Sequence, residues 1–336
     1  MSPQFVDCNG DGQLDIVAGT FDGSPHVALG TAKGWQQPEQ ILDRDGQRIL
    51  LNMFWNFDTK KWDTTMRCDP KNHALPEGQG TSAWALDWDS DGDLDLLLGD
   101  YKSGYLYLRR NEGGKGARQF ARQNEVVLAA GMPLNVGKMG TLRVLDWNRD
   151  GLPDLVCSSM GDAYGDGPGG GVQLFLNCGT ATAPAFGAAV ELVPPSRKGA
   201  AEPTRPDSGL YVDVADVDGD GDLDLVVGGY SHWKAKPPEL TAEQRARVPV
   251  LKQEIAALDR QMQALNEALA AAVKGLDEAA ATARRTELLK TQSTERQAVG
   301  RKRSAAQDEL DPLEPGPKRV AFVWLYENLG KRTAAR

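Results

Sequence analysis

The segment at residues 216–224, D-V-D-G-D-G-D-L-D, is one of four acidic nonapeptides that decide how this chain folds. The others are D-C-N-G-D-G-Q-L-D at 7–15, D-W-D-S-D-G-D-L-D at 87–95 and D-W-N-R-D-G-L-P-D at 146–154. In chain order we call them loops 1 to 4 and number their positions 1 to 9. Positions 1, 5 and 9 are always Asp, position 3 is Asp or Asn, and position 6 is Gly. A short apolar run follows each loop, which predicts a β-strand.

The spacing within each loop fits a calcium site. Calcium takes six to eight oxygen ligands in a flexible geometry. Side chains at positions 1, 3 and 5 of a tight loop converge, glycine at position 6 lets the backbone turn, position 7 offers a carbonyl and Asp at position 9 closes the cage. The predicted metal-binding residues are Asp7, Asn9, Asp11, Gln13 and Asp15 in loop 1; Asp87, Asp89, Asp91, Asp93 and Asp95 in loop 2; Asp146, Asn148, Asp150, Leu152 and Asp154 in loop 3; and Asp216, Asp218, Asp220, Asp222 and Asp224 in loop 4. We therefore predict up to four structural Ca²⁺ ions.

Two other interpretations of the loops are weaker. An EF-hand requires a bidentate Glu at position 12 and a helix after it, whereas position 12 is Ala18, Leu98, Cys157 or Val227, inside β-type runs. Simple Asx-Gly turns between strands would explain a single copy, but four copies that all keep the ninth Asp favour a metal site. Loops 1 and 3 have Asn at position 3, one carboxylate fewer, and are expected to bind calcium more weakly.

The same order of strands recurs around each loop, which indicates an internal repeat. The predicted first strands are 4–6, 82–86, 141–145 and 210–215, and the predicted third strands are 26–29, 105–108, 172–176 and 320–326. Three third strands end in N-x-G turns, at 111–113, 177–179 and 328–330. Fourth strands are predicted near 120–128 and 186–192. Repeated units of four antiparallel strands are typical of propeller blades, so we predict a mainly β fold with four visible blades.

These loops, the strands after them and the N-x-G turns resemble the FG-GAP/VCBS repeat family, the calcium-loop β-propellers related to the integrin α-subunit head. The resemblance implies a propeller with Ca²⁺ between the first two strands of a blade, located outside the cytoplasm. It also implies a binding or cell-adhesion role; some such propellers are lectins and others are polysaccharide lyases. Family propellers usually have more blades than the four loops account for, so further blades upstream or a fragment of a longer protein are expected.

A helical segment interrupts the fourth repeat. Apolar residues follow a heptad seam at Val248, Leu251, Ile255, Leu258, Met262, Leu265 and Leu269. Thr241 and Gln244 resemble a capping box, and Gly275 marks a turn before a second helix at about 277–310. The predicted domains are therefore residues 1–238 with the blades, 239–317 as an antiparallel coiled-coil-like helical hairpin, and 318–336 with the last strand and tail. The hairpin is either a partner-binding arm, if part of its stripe stays open, or a spacer whose seam is satisfied internally.

The connection at about 52–80 carries a group of aromatic and polar residues, for which two interpretations stay open. Strand alternation predicts that it shares a face with the helical hairpin, opposite the calcium loops. A sugar or peptide platform is one interpretation; strand core and a loop anchor is the other. The residues are Phe54, Trp55, Phe57, Trp62, Arg67 and His73.

Composition narrows the function classes. The net charge of −9 with no basic patch argues against nucleic-acid binding, and there is no apolar run long enough for a membrane span. The first residues do not form a signal peptide, so export to an extracellular, periplasmic or cell-surface location requires a targeting segment that has been removed or lies upstream. The four cysteines fit neither a zinc site nor a dense disulfide scaffold, although a Cys157–Cys178 pair is one possibility.

The sequence shows no catalytic constellation, because its three histidines are scattered and no nucleophile motif occurs. We therefore expect a secreted, non-enzymatic module that binds a protein or a glycan. The alternatives are a lyase-like enzyme acting on polysaccharides and an architectural segment of a larger assembly.

Overall fold

The computed structural model describes residues 3–64, 78–162, 167–196, 205–236 and 238–330. The fold is mainly β, as predicted, and the described residues form four-stranded antiparallel sheets and three helices. The chain divides into two compact units: Met1–His232 with Arg319–Arg336, and Trp233–Lys318. None of the helices in the described part of the chain has the length and apolarity needed to cross a bilayer.

Blade 1 is the four-stranded sheet β1-β2-β3-β6, which is extended by a small β4–β5 hairpin. Its strands are β1 (Gln4–Val6), β2 (Asp15–Gly19), β3 (Pro25–Ala28), β4 (Gly30–Thr31), β5 (Gly34–Trp35) and β6 (Glu39–Gln40). A separate hairpin of β7 (Met53–Asn56) and β8 (Lys61–Thr64) follows.

Blade 2 is the sheet β12-β11-β10-β9, with a two-stranded hairpin after it. Its strands are β9 (Gly80–Leu86), β10 (Asp95–Asp100), β11 (Leu106–Arg109) and β12 (Glu125–Val126), and the hairpin consists of β13 (Leu128–Ala129) and β14 (Met132–Pro133). The fourth strand is shorter than predicted.

Blade 3 is the sheet β15-β16-β17-β18, and blade 4 has three strands in the described part of the chain, β19-β20-β21. Their bounds are β15 (Met139–Leu145), β16 (Asp154–Ser159), β17 (Val172–Phe175), β18 (Val190–Val193), β19 (Ser208–Ala215), β20 (Asp224–Lys234) and β21 (Pro317–Tyr326).

Register is the same at the loop end of every blade. The last residue of the first strand pairs with the position-9 Asp that begins the second strand. The pairs are Val6–Asp15, Leu86–Asp95, Leu145–Asp154 and Ala215–Asp224. All four acidic loops therefore connect the first and second strands in one geometry.

Successive blades pack face to face, and their first strands touch. Blades 1 and 2, 2 and 3, and 3 and 4 each share a cluster of buried apolar side chains. Polar side chains link the first strands: the Gln4 amide donates to the Ala85 carbonyl at 2.8 Å and accepts from its N–H at 2.7 Å. Farther along, Thr141 Oγ1 accepts from the Val212 N–H at 2.8 Å. Adjacent first strands on one side of packed sheets are the propeller-like arrangement.

The helical unit is a hairpin of α1 (Ala242–Val273), α2 (Glu278–Thr291) and α3 (Ser293–Leu310). The predicted Thr241–Gln244 capping box is present at the start of α1, and the predicted second helix is divided at Gln292. The whole predicted seam, from Val248 to Leu269, is buried or half-buried. Within the seam, Leu251 and Ile255 are buried against Ala306 and Leu310 of α3, and the other seam residues are half-buried.

Charged side chains add cross-links between the two arms. Arg247 bonds to Glu309 at 2.7 Å and Arg303 to Asp259 at 2.6 Å. Because these pairs are exposed to solvent, each contributes little to stability. They fix the register of the arms more than they hold them together.

Candidate metal centres

The position-1 Asp organises each loop by accepting hydrogen bonds from the backbone that curls around it. In loop 2, Asp87 accepts from the N–H groups of Asp91 at 3.1 Å and Gly92 at 3.2 Å. In loop 3, Asp146 accepts from positions 5 and 6 at 3.0 and 2.9 Å. Loops 1 and 4 have the same bond to position 6. These Asx-type bonds fix the loop backbone with the chain's own atoms.

Two backbone positions in each loop take the left-handed conformation. Position 6 is Gly in every loop, with φ between +83° and +94°. Position 4 also has positive φ in all four loops, where the residues are Gly10, Ser90, Arg149 and Gly219. Sequence reasoning found position 6 and missed position 4, because Ser and Arg do not indicate a left-handed backbone.

The position-9 Asp joins three parts of its blade. In loop 2, Asp95 accepts from the Trp88 N–H at 3.2 Å and from the Asn111 N–H at 2.6 Å. In loop 3, Asp154 makes the corresponding bonds to Trp147 and Asn177 at 2.9 and 2.7 Å. Loops 1 and 4 repeat the pattern. This buried Asp therefore fastens the loop to the end of the third strand, a role beyond the predicted one of metal ligand.

The Asn of the N-x-G turn completes this connection. Asn111 donates from its amide to the Leu94 carbonyl at position 8 of loop 2, at 3.2 Å, and Asn328 does the same to Leu223 in loop 4, at 3.3 Å. Loop 1 has no such Asn, and the indole of Trp35 donates to the equivalent Leu14 carbonyl at 2.9 Å. A turn signal in the sequence is thus also a structural support for the loop.

Loops 2 and 4 bring carboxylates together. Oxygens of Asp87, Asp89 and Asp91 lie within 4.8 Å of one another, and so do oxygens of Asp216, Asp218 and Asp224. In loop 4 the cluster thus includes positions 1, 3 and 9 of the predicted ligand set. Like charges this close repel each other in water, and a cation between them would remove the repulsion.

Loops 1 and 3 use the Asn at position 3 differently. The amide of Asn9 donates to Asp11 at 3.1 Å, and that of Asn148 donates to Asp150 at 2.8 Å. The amide group supplies a hydrogen-bond donor where loops 2 and 4 place a third negative charge. These two loops are therefore partly satisfied by their own atoms.

Loop 2 fits a hard cation through two buried oxygens. Asp89 Oδ1 and Asp93 Oδ1 are buried and have no hydrogen-bond partner in the described part of the chain. Burial, followed by the charges of Asp91, Asp89 and Asp87, raises the pKa of Asp93 to about 6. Burial also raises the pKa of Asp95 to about 6. Carboxylate oxygens are the ligands that calcium prefers, so this donor set suits the predicted ion.

Position 7 of loop 2 offers a side chain besides the predicted backbone carbonyl. The Asp93 side chain is buried, with 2% exposure. In loop 4 the equivalent Asp222 is bonded to Arg149 of loop 3 at 3.1 Å. A guanidinium also reaches loop 2, where Arg110 bonds to Asp89 at 2.6 Å. Arginines thus supply part of the positive charge that these loops require.

The aromatic residues of the 52–80 connection lie on the β7–β8 hairpin. Trp55 in β7 and Trp62 in β8 pack edge to face, with ring centroids 5.7 Å apart, and Phe21 packs on Trp62 at 6.0 Å. Phe21, Phe57 and Trp62 are 57%, 55% and 39% exposed. Arg67 and His73 of the predicted platform lie outside the described residues. The hairpin thus combines a half-buried Trp55 with an exposed aromatic surface.

The described cysteines are free thiols: Cys8, Cys157 and Cys178. The possible Cys157–Cys178 pair is therefore wrong. Cys8 donates to Asp15 at 2.8 Å, and burial together with this hydrogen bond raises the pKa of its thiol to about 12.

A family model for FG-GAP-like repeats matches residues 87–157 and 146–227. The two matches begin at loops 2 and 3 and end on the strands that leave loops 3 and 4. Residues 87–227 therefore carry FG-GAP-like repeats, and the resemblance inferred from the loops is confirmed there. No curated protein sequence matches the chain significantly.

One similar solved structure is that of an Agrocybe aegerita lectin, from work on specific recognition of non-reducing terminal N-acetylglucosamine. Its sequence is 16% identical, with a TM-score of 0.32 over 68% of this chain and 48% of that chain. This chain thus spans about half the length of the lectin structure. A similarity of this extent says nothing about the ligand of this chain.

Proposed function

We propose that this chain is a calcium-stabilised, non-enzymatic FG-GAP-type module that binds a protein or a glycan outside the cytoplasm, as an adhesion or recognition domain. The observation that carries the proposal is the clustering of carboxylates at one place in the repeat. Loop 2 holds two buried oxygens without a partner, and loops 2 and 4 each place three carboxylates within 4.8 Å. The turn itself does not need this concentration of negative charge, because loops 1 and 3, with Asn at position 3, form the same turn with fewer carboxylates.

The proposed ion would act on the strands through the loops. Residues at positions 1, 3 and 5 would hold it, and the position-9 Asp would connect it to the first, second and third strands. Because folded loops bind calcium and unfolded ones do not, each site would add about 2.7 kcal/mol of stability when free calcium is 100 times its Kd. Calcium would thus supply stability that a repeat with charged loops lacks by itself.

The ligand-binding part of the proposal is supported by the exposed aromatic surface. Phe21, Phe57 and Trp62 offer rings of the kind that stack on sugar C–H faces or on apolar peptide side chains. Arg48 packs against Phe57, with 5.1 Å from the guanidinium carbon to the ring centroid, which holds that ring in place. A rigid aromatic surface loses little entropy on binding.

Thermal unfolding in millimolar CaCl₂ and in excess EGTA tests the calcium proposal. We expect a higher Tm in calcium and no comparable gain in MgCl₂, because magnesium requires a smaller octahedral site. The double variant Asp91→Asn/Asp220→Asn should lose most of the gain. Asp58→Asn, an exposed aspartate outside the loops, is the matched control and should keep it. Equal Tm values in calcium and EGTA for the unaltered chain would refute the proposal.

A further inference from the structure

A pocket of about 300 Å³ lies at the edge of blade 3, beside the β14–β15 connection and away from the acidic loops. Its polar lining includes Lys138, Asp162, Gln173 and Glu191, and its apolar walls include Val136 and Val193. A volume of this size is at the lower end of the range for small-molecule sites. Neither the calcium loops nor the aromatic hairpin contributes to it.

Comparison of blades in register explains why the pocket exists. Gln173 pairs with Cys157, at the place where blade 2 pairs Tyr107 with Leu98. Tyr107 is fully buried, so its ring fills the space between the sheet of blade 2 and the neighbouring blade 1. The shorter Gln173 leaves the equivalent space in blade 3 open.

The facing strand changes in the same way. Glu191 is the partner of Gln173 across β17 and β18, whereas Val126 is the partner of Tyr107 across β11 and β12. Blade 3 therefore has a polar pair where blade 2 has a largely apolar one. Directly opposite side chains lie on the same face of a sheet, so both polar groups border the pocket.

One atom of the Gln173–Glu191 pair is a hydrogen-bond acceptor that a ligand would satisfy. Gln173 Oε1 is buried and has no hydrogen-bond partner in the part of the chain that the structure describes. A buried acceptor without a partner loses its hydrogen bond to water and gains none in return. A ligand hydroxyl or N–H group in the pocket would satisfy it.

The backbone around the pocket is shaped to leave this space. Lys138 holds a φ of +40°, an uncommon conformation for a residue with a side chain. Gly169 and Gly171 line the pocket, and a Cβ on either would lie within 2.8 Å of a backbone carbonyl oxygen. Glycine is therefore required at both positions by the close packing of the wall's own backbone.

We propose that this pocket binds one saccharide residue of hexose size, an inference that rests on the proposed binding function because it places one class of its ligands. The charge balance disfavours phosphate and other anions, since the lining contains one cationic side chain, Lys138, and two carboxylates, Asp162 and Glu191. A fully apolar ligand would leave Gln173 Oε1 unsatisfied. A polyol matches the lining because its hydroxyl groups both donate and accept, while its C–H faces contact Val136 and Val193.

The test places the two residues of blade 2, Tyr and Val, at the equivalent positions of blade 3. Methyl glycosides of glucose, galactose, mannose and N-acetylglucosamine are screened against the full chain in calcium by saturation-transfer NMR, and a positive one is titrated by calorimetry. Gln173→Tyr/Glu191→Val fills the pocket with the residues of blade 2 and should weaken binding at least tenfold. Gln40→Val, at the place equivalent to Glu191 in blade 1, is the matched control and should bind normally.

A second variant keeps the inference falsifiable if the double substitution unfolds the chain. Gln173→Leu preserves the side-chain size, removes both polar atoms and should also weaken binding at least tenfold. No binding of any of the four glycosides to the intact chain would overturn the inference, while the calcium-dependent Tm would decide the proposed module separately. Binding that persists unchanged in both variants would also overturn it and would direct attention to Phe21, Phe57 and Trp62.

Discussion

The four loops have the same backbone conformation. Loops 2 and 4 differ from loops 1 and 3 in how their negative charge is balanced. All four use a position-1 Asp to hold the turn and a position-9 Asp to hold the third strand. In loops 2 and 4 an Asp at position 3 gives clusters of three carboxylates. In loops 1 and 3 an Asn amide donates to the position-5 carboxylate instead, at 3.1 and 2.8 Å. The turn therefore does not require the third charge, which points to a separate role for it in binding a cation.

The first prediction concerns what the loops share and has the largest expected effect. Asp95→Ala in loop 2 leaves two buried N–H groups without an acceptor, and Asp154→Ala in loop 3 leaves one buried and one partly buried N–H group. Each buried group left without an acceptor costs about 1–3 kcal/mol. We expect both variants to lose about 2–4 kcal/mol of unfolding free energy, in EGTA as well as in calcium. Urea unfolding followed by tryptophan fluorescence measures this. A loss confined to calcium-containing buffer would show that position 9 acts through the metal alone.

The second prediction concerns what distinguishes the loops. Asp218→Asn gives loop 4 the position-3 residue of loop 3, and Asn148→Asp does the reverse. Because each substitution removes or adds one charged ligand of a divalent ion, we expect calcium affinity to fall or rise roughly tenfold at the altered site. Calorimetric titration of both variants checks this. Affinity that is unchanged in both would mean that position 3 does not face the ion.

The third prediction is a pH dependence that belongs to loop 2. The pKa values of Asp93 and Asp95 are raised to about 6, above an ordinary carboxyl value of about 3.9. Their protonated forms are favoured by folding, so this part of the stability is fully present below about pH 3.9 and is lost as pH rises through about 6. We expect calcium to offset the loss near neutral pH.

Asp93→Asn isolates this contribution. In EGTA, the stability difference between the variant and the unaltered chain should shift in favour of the variant from pH 4 to pH 7. Calcium binding to the unaltered chain at pH 6 should release protons, which calorimetry in buffers of different ionisation enthalpy detects. A difference that does not change with pH would contradict the assigned environment of Asp93.

The fourth prediction is the smallest and concerns position 4. Arg149 has a φ of +61°, a conformation that costs a residue with a Cβ about 1 kcal/mol. Arg149→Gly should stabilise the chain by up to about 1 kcal/mol, less the small contribution of the exposed Arg149–Asp222 ion pair. Arg149→Ala loses the same ion pair and keeps the strain, so the difference between the two variants in urea unfolding isolates the backbone effect. Equal stabilities would show that the loop relaxes without strain.

The sequence predicted the fold because its signals are local. Each acidic loop begins and ends at fixed points of a strand register, and Gly at position 6 marks the turn. The capping box of Thr241 and Gln244 and the heptad seam likewise depend on neighbours a few residues apart. Such patterns can be recognised in the sequence without knowledge of tertiary contacts.

The parts that were missed depend on contacts between distant residues. The hydrogen bond from the Asn328 N–H to Asp224 joins residues far apart in sequence. In blade 1, Trp35 takes the place of this Asn by donating to the Leu14 carbonyl. The pocket beside Gln173 is visible only after Tyr107 is placed in register with it. Aligning the four repeats strand by strand shows where a polar residue replaces an apolar one, as Gln173 does at the position of Tyr107.

The difference between the two kinds of loop is tested most directly by calcium titration of the intact chain, with calorimetry for affinity and native mass spectrometry for the number of ions. The account predicts two tighter sites that are removed by Asp91→Asn and Asp220→Asn, and weaker binding at loops 1 and 3. Four equal sites would contradict the role given to position 3. No calcium bound at millimolar concentration would contradict the account of the loops as metal centres.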